Sequence, residues 1–148
     1  MIKFLLLANK LGQVRIAQYY TDIPPKERHT LESELIRKCL SRDINKCQIL
    51  IHQNYKIIYR RYVSLYFIIA VDSEEENEYI YYSFIQLLVE TLNKYFKKVC
   101  ELDIIMNLEK THYIIEEMVM NGEILEASKQ DIVGPVIALD QALNKRVN

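Results

Sequence analysis

The chain has 148 residues, half of them hydrophobic and 26% charged, with a formal net charge of −1. That size suits one globular domain, 1–148, because a chain this long buries roughly 70% of its unfolded surface, and the near-neutral charge excludes a global field that would draw it to nucleic acid or anionic lipid. Cys39, Cys47 and Cys100 show no CxxC spacing and no histidine at ligand spacing, which excludes the common zinc frameworks and leaves reduced, mostly buried thiols of a cytosolic protein.

Residues 1–8 are apolar and branched, residues 14–20 alternate, and Asn9, Lys10, Leu11 and Gly12 between them supply turn chemistry, so a β-hairpin is expected. The opening apolar stretch is shorter than a signal-peptide core with its cleavage region, and the expectation is that nothing directs the chain into the secretory lumen. Pro24 and Pro25 stop the second strand. Leu31, Leu35, Ile36, Cys39 and Leu40 then recur at helical spacing and predict a helix over about 25–41.

Three β-like runs follow, 48–52, 56–61 and 65–71, separated by Gln53-Asn54 and by the polar break near Ser64. The last is almost continuously apolar, as in a strand covered on both faces. Its apolar stretch, 62–71, is about ten residues, whereas a membrane-spanning helix needs on the order of 20. Ser73 stands three residues before Glu76, a capping-box spacing, and Glu74, Glu75 and Glu76 suit the positive end of a helix dipole. Ile80, Phe84, Leu87, Leu88, Thr91, Leu92, Tyr95 and Val99 would form that helix's buried face, with Lys94, Lys97 and Lys98 near its end.

Beyond Cys100 the pattern stays helical through Leu102, Ile105 and Met106, then Ile114, Ile115, Met118 and Val119, with Asn121-Gly122 as the stop. A last helix begins near Ser128 and is interrupted at Gly134-Pro135, leaving the final few residues as a tail. The order β-β-α-β-β-β-α plus extra C-terminal helices implies an α+β fold, a five-stranded antiparallel sheet with helices on both sides.

Catalytic chemistry is scarce. Glycines at 12, 122 and 134 allow neither a GxGxxG turn nor a phosphate loop, and no nucleophile elbow, HExxH or EF-hand pattern occurs. His29, His52 and His112 are isolated, and the adjacent Glu116 and Glu117 point to different helix faces. No enzyme, cofactor or metal is expected, although a site dispersed through the fold would leave no motif. Eleven tyrosines against no tryptophan, with Tyr79, Tyr81 and Tyr82 in one turn, suit a surface that another protein covers. Arg60 and Arg61 point to opposite faces of a strand; they read either as flanking a covered surface or as edge-strand charges that discourage aggregation.

KIIYRRYVSLYF at 56–67, VCELDIIMNLEK at 99–110 and the opening MIKFLLLANKLGQVRIAQYY resemble the small (sigma) subunits of the adaptor protein complexes that build coats on intracellular membranes. The likeness runs over about residues 1–140 in order and spacing. NLEKTHYIIEEMVMNGEILEAS and Cys-Leu-Ser-Arg at 39–42 are most similar to the small chain of adaptor complex four, while IIYRRY is equally similar to complex two and RRYVSLYF with VCELDII to complex one.

The resemblance implies a longin-like fold and a structural, cargo-recognising role without catalysis. Its implied partners are two large chains and one medium chain in a heterotetramer, peripheral on the cytosolic face of trans-Golgi, endosomal or coated-vesicle membranes. Cargo tails carrying Asp/Glu-x-x-x-Leu-Leu/Ile signals are the implied ligands, with no nucleic acid. By position in the matched blocks, Val63 and Leu65 on a strand, Val89 on the long helix, and Val99 with Ile104 in the CELDII block would line the two leucine pockets. Lys98 falls beside them, and Arg15 matches the basic residue associated with the signal's acidic position. Val63 is larger than the alanine often found there, and Lys98 replaces a small polar residue of some members. A longin-fold tether or trafficking regulator outside the adaptor complexes is the alternative reading.

Overall fold

The period-two pattern of the central strands decides the layers. The structure, a computed structural model, describes residues 1–42, 48–75, 77–124, 137 and 141–142. Strands β1 (Ile2–Asn9), β2 (Val14–Tyr19), β3 (Ile49–His52), β4 (Tyr55–Tyr62) and β5 (Leu65–Asp72) form one antiparallel sheet in the order β2-β1-β5-β4-β3. Helix α1 (Pro25–Ser41) joins β2 to β3, and α2 (Glu78–Phe96), α3 (Glu101–Met106) and α4 (Leu108–Met118) follow β5. A two-stranded hairpin, β6 (Val119–Met120) and β7 (Glu123–Ile124), follows α4.

Side chains of β1 and β5 alternate between two cores. Leu5, Leu7, Phe67, Ile69 and Val71 pack with Phe84, Ile85, Leu88 and Leu92 of α2 and Ile114, Ile115 and Met118 of α4. Phe4, Leu6, Ala8, Ile68 and Ala70 face the other way, onto Leu31, Leu35, Ile36 and Cys39 of α1. Every residue of β5 from Leu65 to Val71 is therefore buried, as its unbroken apolar run requires.

The expected strands and α1 are present, and several other expectations are corrected. Helix α2 starts at Glu78, capped by neither Ser73 nor Asn77; Glu76 lies outside the described residues. Lys56 of β4 donates to the Glu75 carbonyl and pairs with the Glu78 carboxylate (2.8 Å), which ties the segment before α2 to the sheet. The buried face of α2 is also rotated, centred on Tyr81, Phe84, Ile85, Leu88 and Leu92, while Ile80 is exposed. Val99 enters the core from beyond the helix, after Lys97 turns the chain with φ of 68°.

Asn121-Gly122 is the turn of the β6–β7 hairpin instead of a helix stop, with φ of 51° and 86° suited to a two-residue hairpin loop. Arg60 and Arg61 lie on β4 beyond its described pairing with β3, which ends at Ile58, and are paired there with β5: the Arg60 guanidinium lies over the Tyr82 ring at 5.9 Å, and Arg61 Nε donates to the Val63 carbonyl at 3.1 Å.

Of the thiols, Cys39 is buried, which pushes its pKa up to about 12, whereas Cys100 is exposed. Cys47 and the helix expected near Ser128 with its break at Gly134-Pro135 lie outside the described residues. His52 is not isolated: its buried ring has Lys38 Nζ 2.8 Å from Nδ1 and a Glu34 oxygen 3.5 Å from Nε2. Burial, then the Lys38 charge, lowers its pKa, which Glu34 opposes. No described helix is long and apolar enough to cross a membrane, and the described residues hold no His/Cys/Asp/Glu cluster suited to a metal.

Candidate functional site

Antiparallel connection brings four segments to one rim of the sheet: the β1–β2 turn, the β4–β5 turn, the end of α2 and the start of α3. Asn9, the last residue of β1, pairs with Leu65, the first of β5. Its buried side chain organises the turn, Oδ1 accepting from the backbone N–H of Leu11 (3.0 Å) and Gln13 (2.9 Å). Asn9 Nδ2 donates to Gln13 Oε1 (2.8 Å) and to Glu101 Oε1 (2.9 Å). The same Glu101 oxygen accepts from Arg15 Nε at 2.7 Å, and Arg15 Nη2 donates to Gln13 Oε1 at 2.9 Å. The Asn9 and Arg15 hydrogen bonds hold the Glu101 carboxyl below the usual carboxylate range.

A second polar clasp is built on Asn93 of α2. Its Nδ2 donates to the Tyr62 hydroxyl (2.9 Å) and its Oδ1 accepts from the Val99 N–H (2.9 Å), tying the end of β4 to the segment that leads into α3. There Cys100 N–H donates to Asp103 Oδ2 (3.1 Å), closing the first turn of α3.

This frame places the residues singled out from sequence. Leu65, Val89, Val99 and Ile104 come together as buried members of the α2-side core, each exposed by 3% or less. Val63 is 66% exposed at the tip of the β4–β5 turn, and Lys98 is exposed. Arg15 is half-buried and committed to Glu101 and Gln13. Clefts of about 490, 480 and 420 Å³ lie beside α1, and none of the seven residues lines these.

Three polar residues of the rim were missed. Glu101 stands in the VCELDII block and Asn9 was read as a turn former, so both left a local trace; Asn93 left none. Helix α3 is also turned outward: Ile104 is its buried residue, while Leu102 (62%), Ile105 and Met106 (74%) are exposed, as is Leu108 at the start of α4. Exposed apolar clusters of this kind occur at protein, membrane or ligand contact sites. Tyr79, 77% exposed, adds to the apolar surface on α2.

Val63 carries a backbone cost. Its φ is 54°, a conformation that a β-branched residue adopts at a penalty of order 1 kcal/mol or more. Val63→Gly is expected to raise stability by roughly 0.5–1 kcal/mol despite the added freedom of the unfolded chain, because the exposed side chain contributes little packing. A lower urea midpoint for the variant would show that packing at the turn outweighs the strain.

The family described as "Clathrin adaptor complex small chain" matches residues 1–143. The chain is 52% identical over 141 residues to the AP-4 complex subunit sigma of Arabidopsis thaliana, covering 95% of this chain and 98% of the relative. It is 43% identical over 141 residues to the AP-4 complex subunit sigma-1 of Homo sapiens, with 95% and 97% covered. In structure it is similar to a chain of a homology model of the full-length AP-3 complex in a stretched open conformation, with a TM-score of 0.78, 27% identity, and 99% and 97% covered.

Proposed function

Because the chain belongs to the clathrin adaptor complex small-chain family, we propose that it packs against and stabilises the trunk of a large chain within a heterotetramer of two large, one medium and one small chain. The assembly works on the cytosolic face of trans-Golgi, endosomal or coated-vesicle membranes, and the small chain acts by recognition and assembly, without catalysis. The observation that carries this reading is the outward apolar face of Leu102, Ile105, Met106 and Leu108 on α3 and α4, a cluster of the kind found at the centre of stable protein interfaces.

In the same reading the rim helps bind Asp/Glu-x-x-x-Leu-Leu/Ile signals. Arg15 meets the acidic residue, and the leucines enter beside Val63, Leu65, Val89, Lys98, Val99 and Ile104. Four of these are sealed in the core, so the leucines enter only when the Val63 turn or the segment at Lys98 moves aside. The partner chain supplies the remaining walls.

Affinity purification of the chain at its native level, followed by mass spectrometry, tests the reading. Two large chains and one medium chain are expected in stoichiometric amount. Recovery with no adaptor large chain would reduce the family likeness to a likeness of fold.

A further inference from the structure

The rim holds an acid of its own against the basic residue that the preceding reading assigns to the signal. We propose that Glu101 is an internal stand-in for the signal's carboxylate, occupying Arg15 when no signal is bound, so that an acidic signal must displace it. The proposal rests on the reading of Arg15 as the contact for the signal's acidic residue.

A guanidinium presents planar edges that match a carboxylate with two parallel N–H groups. In this structure one such edge of Arg15 is filled from within: Nε donates to Glu101 Oε1 at 2.7 Å, and Nη2 donates to Gln13 Oε1 at 2.9 Å. Both acceptors are steadied by the buried Asn9, whose Nδ2 donates to each, at 2.9 Å to Glu101 and 2.8 Å to Gln13. The arginine is thus held ready with its edge satisfied rather than left waiting in water.

An incoming carboxylate has two courses. It takes the Nε and Nη2 edge and releases Glu101, or it uses the remaining edge and brings a second negative charge close to Glu101. Either course sets Glu101 against the signal's acid. The Arg15 and Glu101 side chains keep 30% and 26% of their accessible surface, so water can take up a displaced Glu101 carboxylate without a large desolvation cost. Glu101 therefore sets how strongly the site weighs the signal's acidic residue relative to its leucines.

The test uses the purified heterotetramer carrying either the parent chain or Glu101→Gln, an exchange that keeps an acceptor oxygen for Arg15 and Asn9 and removes the charge. Fluorescence anisotropy at low salt measures a Glu-x-x-x-Leu-Leu peptide and the same peptide with Gln in place of Glu. The expected result is a two- to fivefold tightening, roughly the value of one half-exposed charge pair, for the Glu peptide and no change for the Gln peptide. Glu101→Ala, which removes the acceptor altogether, is expected to shift the ratio of the two affinities the same way.

Weaker binding of the Glu peptide, or an equal change for both peptides, would overturn the proposal and make Glu101 a positioning residue for Arg15. If the parent complex holds neither peptide, or holds a Leu-to-Ala control equally well, the dileucine reading itself fails and this proposal falls with it. A tightening that fades as salt rises supports direct charge competition.

Discussion

Ile104→Ala is expected to lower the stability of the chain by about 2–5 kcal/mol, a substantial part of the 5–15 kcal/mol that holds a typical domain together. Ile104 is fully buried and is the residue by which α3 enters the core, beside Leu65, Val89, Val99 and Ile114. A six-residue helix has too few turns to stand alone, so truncating its buried apolar anchor leaves a cavity and loosens the attachment of α3. Urea unfolding reads the loss as a lower midpoint at an unchanged slope. A shift below about 1 kcal/mol would mean that the side chain already sits in an accommodating space, as the proposed leucine site requires.

The same substitution warns against reading lost cargo binding as lost contact. A variant that fails to bind because α3 has come away reports on folding. Met106→Ala is the informative companion: 74% exposed, it should change the stability of the free chain by no more than about 0.5 kcal/mol while weakening assembly with the large chain.

The strands were legible because alternation and turn chemistry are local. Asn9 to Gly12 between two branched runs, and Ser64 between two more, mark the hairpins, and Pro25 followed by Leu31, Leu35 and Ile36 marks α1 almost to the residue. What escaped depends on groups far apart in the chain. Lys56 draws Glu75 and Glu78 to itself, and nothing near Ser73 announces that. The α2 face is off because Tyr81 fits the core as well as its neighbour Ile80 would, and periodicity does not choose between them. At the rim, Arg15 and the CELDII block were found separately, yet their union through Glu101 spans 86 positions of sequence. The residues expected to line leucine pockets lie at core-facing positions, and a pattern of apolar residues reads alike for a packed interior and for a pocket that opens on demand.

Asn121-Gly122 was legible as punctuation and misread as to kind, and its glycine is the basis of the second large effect. Gly122→Ala is expected to cost about 2–4 kcal/mol, against about 1 kcal/mol for Gly12→Ala, although the two glycines have nearly the same φ, 86° and 85°. A Cβ on Gly12 would meet Ile36 Cγ2 at 3.5 Å and Leu40 Cδ1 at 3.6 Å, ordinary contacts, so that variant bears only the left-handed backbone penalty. A Cβ on Gly122 would stand 2.3 Å from the Ile2 carbonyl oxygen and 2.8 Å from Met1 Cγ. Backbone cannot yield as a side-chain tip does, so the hairpin must lift from β1. Lifting it breaks the 2.7 Å bond from the Ile2 N–H to the Gly122 carbonyl, worth about 1 kcal/mol by itself. Paired thermal melts decide the matter: with roughly 2–4 °C lost per kcal/mol in a chain of this size, the Gly122 variant should melt several degrees below the Gly12 variant. Equal melting temperatures would mean that β6 and β7 are not seated on β1, and that the segment after α4 contributes nothing to holding the sheet against the helices that carry the proposed interface.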